Sequence, residues 1–592
     1  MGALDHVKLH YVESVNDVIE FLAWLDKPRA VLAIDTETTG LMPWKDHVRL
    51  IQFGDRTEGW TFRWDRWGGV VKEVFDKYDG DYVFHNAKFD LAVLARWCDI
   101  IIPSARVHDT AIMARILEPT SLRGLKPLAE MYVDRNAGVG QAMLEKAMAE
   151  GKWNWETIPY DVPAYTVYAA MDTVLTAHLF DILYPKVMTL CPGAYDLERE
   201  FAAVVQKIEA RGSMVDKTYT EQSFDSLTSY MNQVEEWCMN VYGVKPGSNQ
   251  AIVQVLINEG ISFVKTTDKG AFSLDADVLE GIDHPLAQSV LKRRQTQKVA
   301  NTYLRNFLEM SDDDMIIRPR MDAQGTVTGR MSMELFQTLP RRSEDNPLAI
   351  IVRNCIVPRP DNTIMLCDWD QIEMRILAHL SNDPGLAQAF TQGDFFLNIV
   401  REIFDDPTIV RSDPRRQTTK NAMYGKVYGA GIAKFSATAG IDERAGAAFM
   451  AKLDERFPGM DGLKHQVEDI ATMRQRLEGR PYVTSPLTGQ PYFPKREDKI
   501  YALVNYLIQG TAASILKKKV VELDNVGVGD YLTLLVHDEV IADVPNEHVH
   551  DVAHAIKGVM NDDTLLNVPV TASLSLASRW GSKGDLKLED FE

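Results

Sequence analysis

Two apolar, strand-like runs near the C-terminus each end at an aspartate. In IMLCDWDQIEMR (364–375) that residue is Asp368, and in LTLLVHDEV (532–540) it is Asp538. A buried strand has little reason to end in His-Asp-Glu unless something pairs with the charge. Extended to LTLLVHDEVIADV (532–544), the second run reads as a hairpin with Asp538 at its tip. Brought together, two strand-end carboxylates can hold a pair of divalent metals about 4 Å apart for in-line attack on phosphorus.

Between them, RRQTTKNAMYGKVYG (415–429) reads as a helix. Arg416, Lys420, Tyr424 and Tyr428 recur every four residues. At 3.6 residues per turn they drift by only about 40° per step and form one stripe. Two cations followed by two aromatics suit a nucleoside triphosphate: charge for the phosphates, rings for the sugar and base. Gly425 and Gly429 follow the tyrosines and leave room for close approach. The plainer reading is an amphipathic helix with tyrosines inward and cations outward, but a cation and a ring on one stripe argue against it. In DWDQIEMR, Gln371, Ile372 and Glu373 leave the strand and begin a helix. Together these segments point to nucleotidyl transfer.

The 592 residues are enough for three or four domains. Hydrophobic (45%) and charged (25%) contents are those of a soluble globular protein. No apolar run spans a bilayer, and the N-terminus lacks the regions of a signal peptide. Cys98, Cys191, Cys238, Cys355 and Cys367 are scattered without CxxC spacing, which suggests reduced thiols in a cytoplasm and no zinc. The net charge of −20 argues mildly against binding nucleic acid. Distribution matters more than the sum. Basic clusters occur at 292–298, 317–320, 341–342, 411–420 and 473–480.

The first 190 residues alternate strand-like and helical runs: VLAID (31–35), RLIQFG (49–54) and DYVFH (81–85), then helical FDLAVLARW (89–97). LCPGAYD (190–196) is the best boundary. A long helical region follows to about 310, with Ser248 or Asn249 as an N-cap. VPVTASLSLASRW (568–580) reads as a final strand. IDTETTG (34–40) puts Asp35 and Glu37 on one face of a strand end. HNAKFD (85–90) brings Asp90 after another strand, and YAAMD (168–172) puts Tyr168 and Asp172 on one helix face. Four converging acids repel one another unless cations bind between them, and oxygen ligands favour magnesium or manganese. Such a pair can activate water and stabilise a leaving 3′ oxygen, with Tyr168 orienting the water. Each acid alone is more simply a surface carboxylate or a helix cap.

DTETTG, HNAKFD and YAAMD resemble the three motifs of the DEDD-type 3′→5′ exonucleases in their tyrosine version, and HDT (108–110) and SLRGLKPLAEMY (121–132) fit the intervening segments. The C-terminal part resembles the family A DNA polymerases, the bacterial polymerase I family, over most of 197–592. TGRMS (328–332), FQTLP (336–340), DWDQIEMRILAHLS (368–381), RRQTTKNAMYGKVYGAG (415–431), NYLIQGTAASILK (505–517), VHDEV (536–540) and KVANTY (298–303) carry that resemblance. It implies a multidomain α/β and α+β chain, with an RNase H-like exonuclease domain (1–190) before a right-hand polymerase domain (191–592). The thumb would span about 197–310, the palm about 311–381 and 500–592, and the fingers about 382–499.

The resemblance implies Asp368 and Asp538 as polymerase metal ligands, and Asp35, Glu37, Asp90 and Asp172 as exonuclease ligands with Tyr168 beside the water. Two magnesium or manganese ions are implied at each site. Arg416 and Lys420 would hold the triphosphate, Tyr424 and Tyr428 would line the sugar and base pocket with Gln371 nearby, and Glu373 would exclude a ribose 2′ hydroxyl. Arg330, Gln337, Asn505, Gln509 and His537 would sense the minor groove, whose acceptors are nearly the same for every base pair. The implied partners are primer–template DNA and deoxynucleoside triphosphates, for a monomer in a bacterial cytoplasm.

Departures are visible. Asp370 replaces the usual serine of the first catalytic motif, Phe396 a histidine of the fingers, and Tyr501 an arginine before Asn505. Tyr424, where many members carry Phe, is similar to certain phage enzymes and predicts weak discrimination against dideoxynucleotides. The chain begins almost at the exonuclease segment, so no 5′ nuclease is expected, and this compact layout suggests a bacteriophage enzyme. No long insertion interrupts the thumb-like region, so a docked processivity clamp is not expected. A pure exonuclease would have eroded Asp368, Asp538 or Lys420, and all three are present. A single-subunit RNA polymerase would lack the acidic gate, and a non-enzymatic scaffold would not keep metal-ligand acids at two sites.

Overall fold

The computed structural model describes residues 2–120, 122–267, 269–340, 346–391, 393–429, 431–439 and 441–591. The basic pair at 341–342 lies outside them. The N-terminal part is built on six strands: β1 (Lys8–Tyr11), β2 (Val31–Thr38), β3 (Val48–Gly54), β4 (Glu58–Arg63), β5 (Asp81–Phe84) and β6 (Val107–Asp109). Their order is β1-β4-β3-β2-β5-β6. β2, β3 and β4 form an antiparallel meander, while β5 and β6 run parallel to β2. Every residue of β3 is buried, which demands cover on both faces. The helix Pro163–Leu190 packs across β2, β3 and β4 to supply one cover.

That helix meets the next, Pro192–Arg211, at a bend of 116°. The expected boundary at 190–196 is therefore a corner with only Cys191 between two helices, and Pro192 sits at the first turn of the second, where its missing N–H costs nothing. The helical region beyond it contains Lys217–Tyr242, Asn249–Asn258 and Pro285–Lys298. Ser248 takes the N-cap position of the second of these, but its side chain makes no capping hydrogen bond.

The C-terminal part has a four-stranded antiparallel sheet in the order Leu532–Val536, Glu539–Pro545, Asn362–Trp369, Ala572–Ala577. The final strand read at 568–580 is the last of these. The helix Leu503–Asn525 packs beside it against Pro192–Arg211 and Ile372–Ser381. Among the described residues, six helices between Pro384 and Glu478 form a helical part beyond the sheet. The N-terminal and C-terminal parts are joined by ion pairs Lys88–Glu209, Arg123–Asp322 and Arg480–Glu118. No single helix among the described residues is long and apolar enough to cross a membrane.

Candidate active sites

The C-terminal sheet brings the two strand-end aspartates to one edge. Asp368 lies in the inner strand Asn362–Trp369, in register with Glu539 on one side and Ser573 on the other. Val536 pairs with Glu539, so His537 and Asp538 form a two-residue connection. His537 has φ 57°, a left-handed conformation uncommon outside glycine and tolerated at tight turns and functional sites. Asp538 thus stands next to the residue that faces Asp368. Burial pushes the Asp368 carboxyl up to about 6; Glu539, Asp538 and Asp370 add to this and Lys583 opposes it. Asp538 is also raised, first by burial, with Arg330 opposing and Glu373 adding. Two crowded carboxylates that resist ionisation fit a divalent cation with hard oxygen ligands.

Glu539 itself is committed elsewhere, accepting from Lys583 Nζ at 2.9 Å and Trp580 Nε1 at 3.2 Å. Asp370 is turned onto neighbouring hydroxyls, accepting from Ser573 Oγ at 3.1 Å and Thr571 Oγ1 at 3.2 Å. Two hydroxyls at the start of the adjacent strand thus solvate the extra carboxylate, while its charge still adds to the rise at Asp368.

Gln371 adopts φ 61° and opens the helix Ile372–Ser381. In the first turn, Glu373 is buried and accepts from both Arg330 Nη2 and the Tyr428 hydroxyl. Three residues expected to act separately are therefore one network, joining the 328–332 segment to the end of the stripe-bearing helix. Arg330, Gln337, His537 and Asp538 line a common pocket with Lys517, and Gln337 Nε2 lies 3.2 Å from His537 Nδ1. Asn505 and Gln509 are one turn apart on Leu503–Asn525, both half-buried. Side-chain oxygens of Gln337, Gln371 and Asn505 are buried without a hydrogen-bond partner.

The stripe lies on the helix Pro414–Val427, with Tyr428 as its C-cap and Gly429 at φ 69° ending it. Tyr424 and Tyr428 stack with centroids 6.0 Å apart. Lys420 Nζ lies 5.7 Å from the Phe396 ring, which is itself 6.1 Å from Tyr424. Arg416 is paired with Asp394, Nη2 to Oδ2 at 2.8 Å, so the first cation of the stripe is already committed to a carboxylate. The room that Gly429 leaves is taken by Tyr501, whose Cδ2 would lie 3.3 Å from an added Cβ.

In the N-terminal part, alternation along β2 sends Asp35 and Glu37 to one face, where Asp172 reaches them from the long helix. Ligand oxygens of Asp35, Glu37 and Asp172 lie within 4.8 Å of one another. Asp90 falls outside that triplet; it lies in the helix Ala87–Val93 and accepts from Thr36 Oγ1 at 2.7 Å. Burial pushes Asp35 up to about 6, and raises Glu37 and Asp90 with Asp35's charge adding. Burial likewise raises the Tyr168 hydroxyl. Asp109 of the HDT segment serves structure, accepting from the backbone N–H groups of Asn86, Ala87 and Ala111. The reading from sequence missed Lys126, a buried lysine that ion-pairs with Asp172 and lies 4.3 Å from the Tyr168 ring centroid. Its only trace was its place inside SLRGLKPLAEMY.

Fold and acid groups together define a DNA polymerase that carries a nuclease domain. The chain belongs to DNA polymerase family A: residues 217–582 match that family's model, and residues 11–188 match a 3′–5′ exonuclease model. It is 28% identical to a DNA polymerase of Mycobacterium phage D29, covering 94% of both chains, and 25% identical to that of Mycobacterium phage L5 over the same share. It is 26% identical to DNA polymerase I of Rhizobium leguminosarum, covering 84% of this chain and 50% of that one. Its fold matches the solved POL domain of Pol1 from M. smegmatis, in complex with DNA primer-template and dNTP, with a TM-score of 0.79 at 21% identity over 97% of this chain and 99% of that one.

Proposed function

We propose that the chain copies a DNA template by two-metal nucleotidyl transfer at Asp368 and Asp538, and trims the primer 3′ end at Asp35, Glu37, Asp90 and Asp172. The observation that carries this reading is the strand register that seats Asp538 next to Asp368's cross-strand neighbour, at the sheet edge served by Arg330 and Glu373. Magnesium or manganese, when bound, supplies a Lewis acid that favours the attacking oxyanion and shields the leaving group. The chain's own residues do the rest. Lys420 faces the triphosphate, and Arg416 joins it by exchanging Asp394 for phosphate. The Tyr424–Tyr428 stack receives the sugar and base. Glu373, fixed by Arg330 and Tyr428, blocks a 2′ hydroxyl.

The unpartnered side-chain oxygen of Gln337, in the pocket it lines with Arg330, His537 and Asp538, supports a ligand with a polar donor there, since an unmet buried acceptor costs about 1–3 kcal/mol. The minor-groove edge of a primer–template presents mainly acceptors, which the amide NH2 groups of Gln337, Asn505 and Gln509, with Arg330 and His537, are suited to meet as donors. We assign residues 1–190 to the exonuclease domain and 191–592 to the polymerase domain. The thumb then spans about 197–310, the palm about 311–381 and 500–592, and the fingers about 382–499. Primer extension by the wild type, Asp368→Ala, and Asp35→Ala with Glu37→Ala tests the reading. The single change is expected to abolish synthesis and spare 3′ degradation, and the double change to do the reverse. Primer extension by Asp368→Ala would overturn it.

A further inference from the structure

We propose that Lys126 is the built-in counter-ion of the exonuclease site: it holds Asp172 and Tyr168 in place before a divalent cation arrives, and competes with that cation for Asp172. The proposal rests on the nuclease reading of the acid cluster given above.

Lys126 occupies a position that ordinary packing disfavours twice. It is only 7% exposed, and burying an ammonium is expensive unless it is paired. It also sits in the first turn of the helix Leu125–Tyr132, where the backbone dipole disfavours a cation. The acid cluster offsets part of the burial cost, and burial still holds the ammonium below the usual lysine range. The ammonium ion-pairs with Asp172, and Asp35 and Glu37 draw on it as well. Its Nζ also lies 4.3 Å from the Tyr168 ring centroid, so one cation touches the helix face that carries both YAAMD residues. Arg49, the other cation acting on Glu37, is turned away to the carbonyls of Trp155 at 2.7 Å and Ile158 at 2.6 Å. The segment is anchored from the polymerase side, because nearby Arg123 pairs with Asp322 and donates to the carbonyl of Gly325 at 3.0 Å. Lys126 is thus held at the acids by backbone placement.

A unit charge a few ångströms from a divalent ion lowers its affinity. Removing that charge should strengthen metal binding while loosening the metal-free site. The test uses the full chain carrying Asp368→Ala and Asp538→Ala, which clears the polymerase site. Manganese binding is followed by electron paramagnetic resonance, and melting is followed in EDTA. Lys126→Met is expected to bind manganese about ten-fold tighter, which is about 1.4 kcal/mol. It should also melt at lower temperature than its parent in EDTA, with the difference closing when manganese is added. Lys126→Arg keeps the charge and should stay near the parent. If Lys126→Met fails to fold in EDTA, Lys126→Gln carries the same comparison. Unchanged or weaker manganese binding, or unchanged melting in EDTA, overturns the proposal. If the parent binds manganese equally well after Asp35→Ala with Glu37→Ala, the nuclease reading itself fails, and that outcome is distinct.

Discussion

Replacing Asp368 by asparagine is expected to stabilise the metal-free protein while ending synthesis. Burial and the neighbouring acids raise the Asp368 carboxyl from 3.8 to about 6. Each pKa unit is about 1.4 kcal/mol, so an ionised Asp368 costs the folded state about 3 kcal/mol at neutral pH. The sign follows from the raised value. Below about pH 4 the carboxyl is largely protonated in both states and costs little. The cost grows as pH rises towards 6, because the unfolded chain ionises first, and above that it is complete. Asparagine keeps the shape and never ionises, but leaves its own amide partly buried, so the gain should be between about 1 and 3 kcal/mol at pH 7.5. Native-state hydrogen exchange on the strand Asn362–Trp369 in EDTA reads this locally, without assuming that the whole chain unfolds in one step. At pH 5 the gain should fall to about half. Magnesium should stabilise the wild type more than the variant. An unchanged exchange free energy at pH 7.5, or an equal gain at both pH values, would refute the reasoning.

Two more predictions follow from the stripe and its network. The wild type should accept dideoxynucleotides readily, and Tyr424→Phe should raise discrimination by about 10–100-fold, the worth of one hydroxyl hydrogen bond in a buried site; competitive incorporation assays measure this, and rejection of terminators by hundreds-fold in the wild type would contradict it. Glu373→Ala removes the acceptor shared by Arg330 and Tyr428. Ribonucleotide incorporation should rise about ten-fold or more while deoxynucleotide turnover falls, as read by single-nucleotide insertion kinetics.

Periodicity carried much of the fold into view. The apolar run with Asp35 and Glu37 alternating along it became β2, and the four-residue spacing of Tyr168 and Asp172 placed both at Lys126 on one helix face. The LTLLV run ended at the His537–Asp538 connection because the apolar pattern stops where the chain must turn. Short β1, paired in parallel to β4, had no comparable signal, since four residues give too little periodicity. The partners chosen across long distances were equally hidden. Arg416 reads as a free cation on its stripe until Asp394 is folded against it, and Glu373 shows neither Arg330 nor Tyr428 in its local sequence. Lys126 reads as a surface lysine because only the tertiary fold brings Asp172 to it. The site's acids could be read from local pattern; the cations that balance them could not.

The most direct test uses a primer that ends in a mismatched nucleotide and carries a 5′ label, extended in magnesium with all four deoxynucleotides, with full-length product sequenced at the mismatch. The wild type should yield product that has lost the mismatched nucleotide. Asp35→Ala with Glu37→Ala should stall or retain the mismatch, and Asp368→Ala should shorten the primer without extending it. Product from Asp368→Ala, or mismatch removal by the double variant, would contradict the claim that two acid sites in this chain divide synthesis from correction.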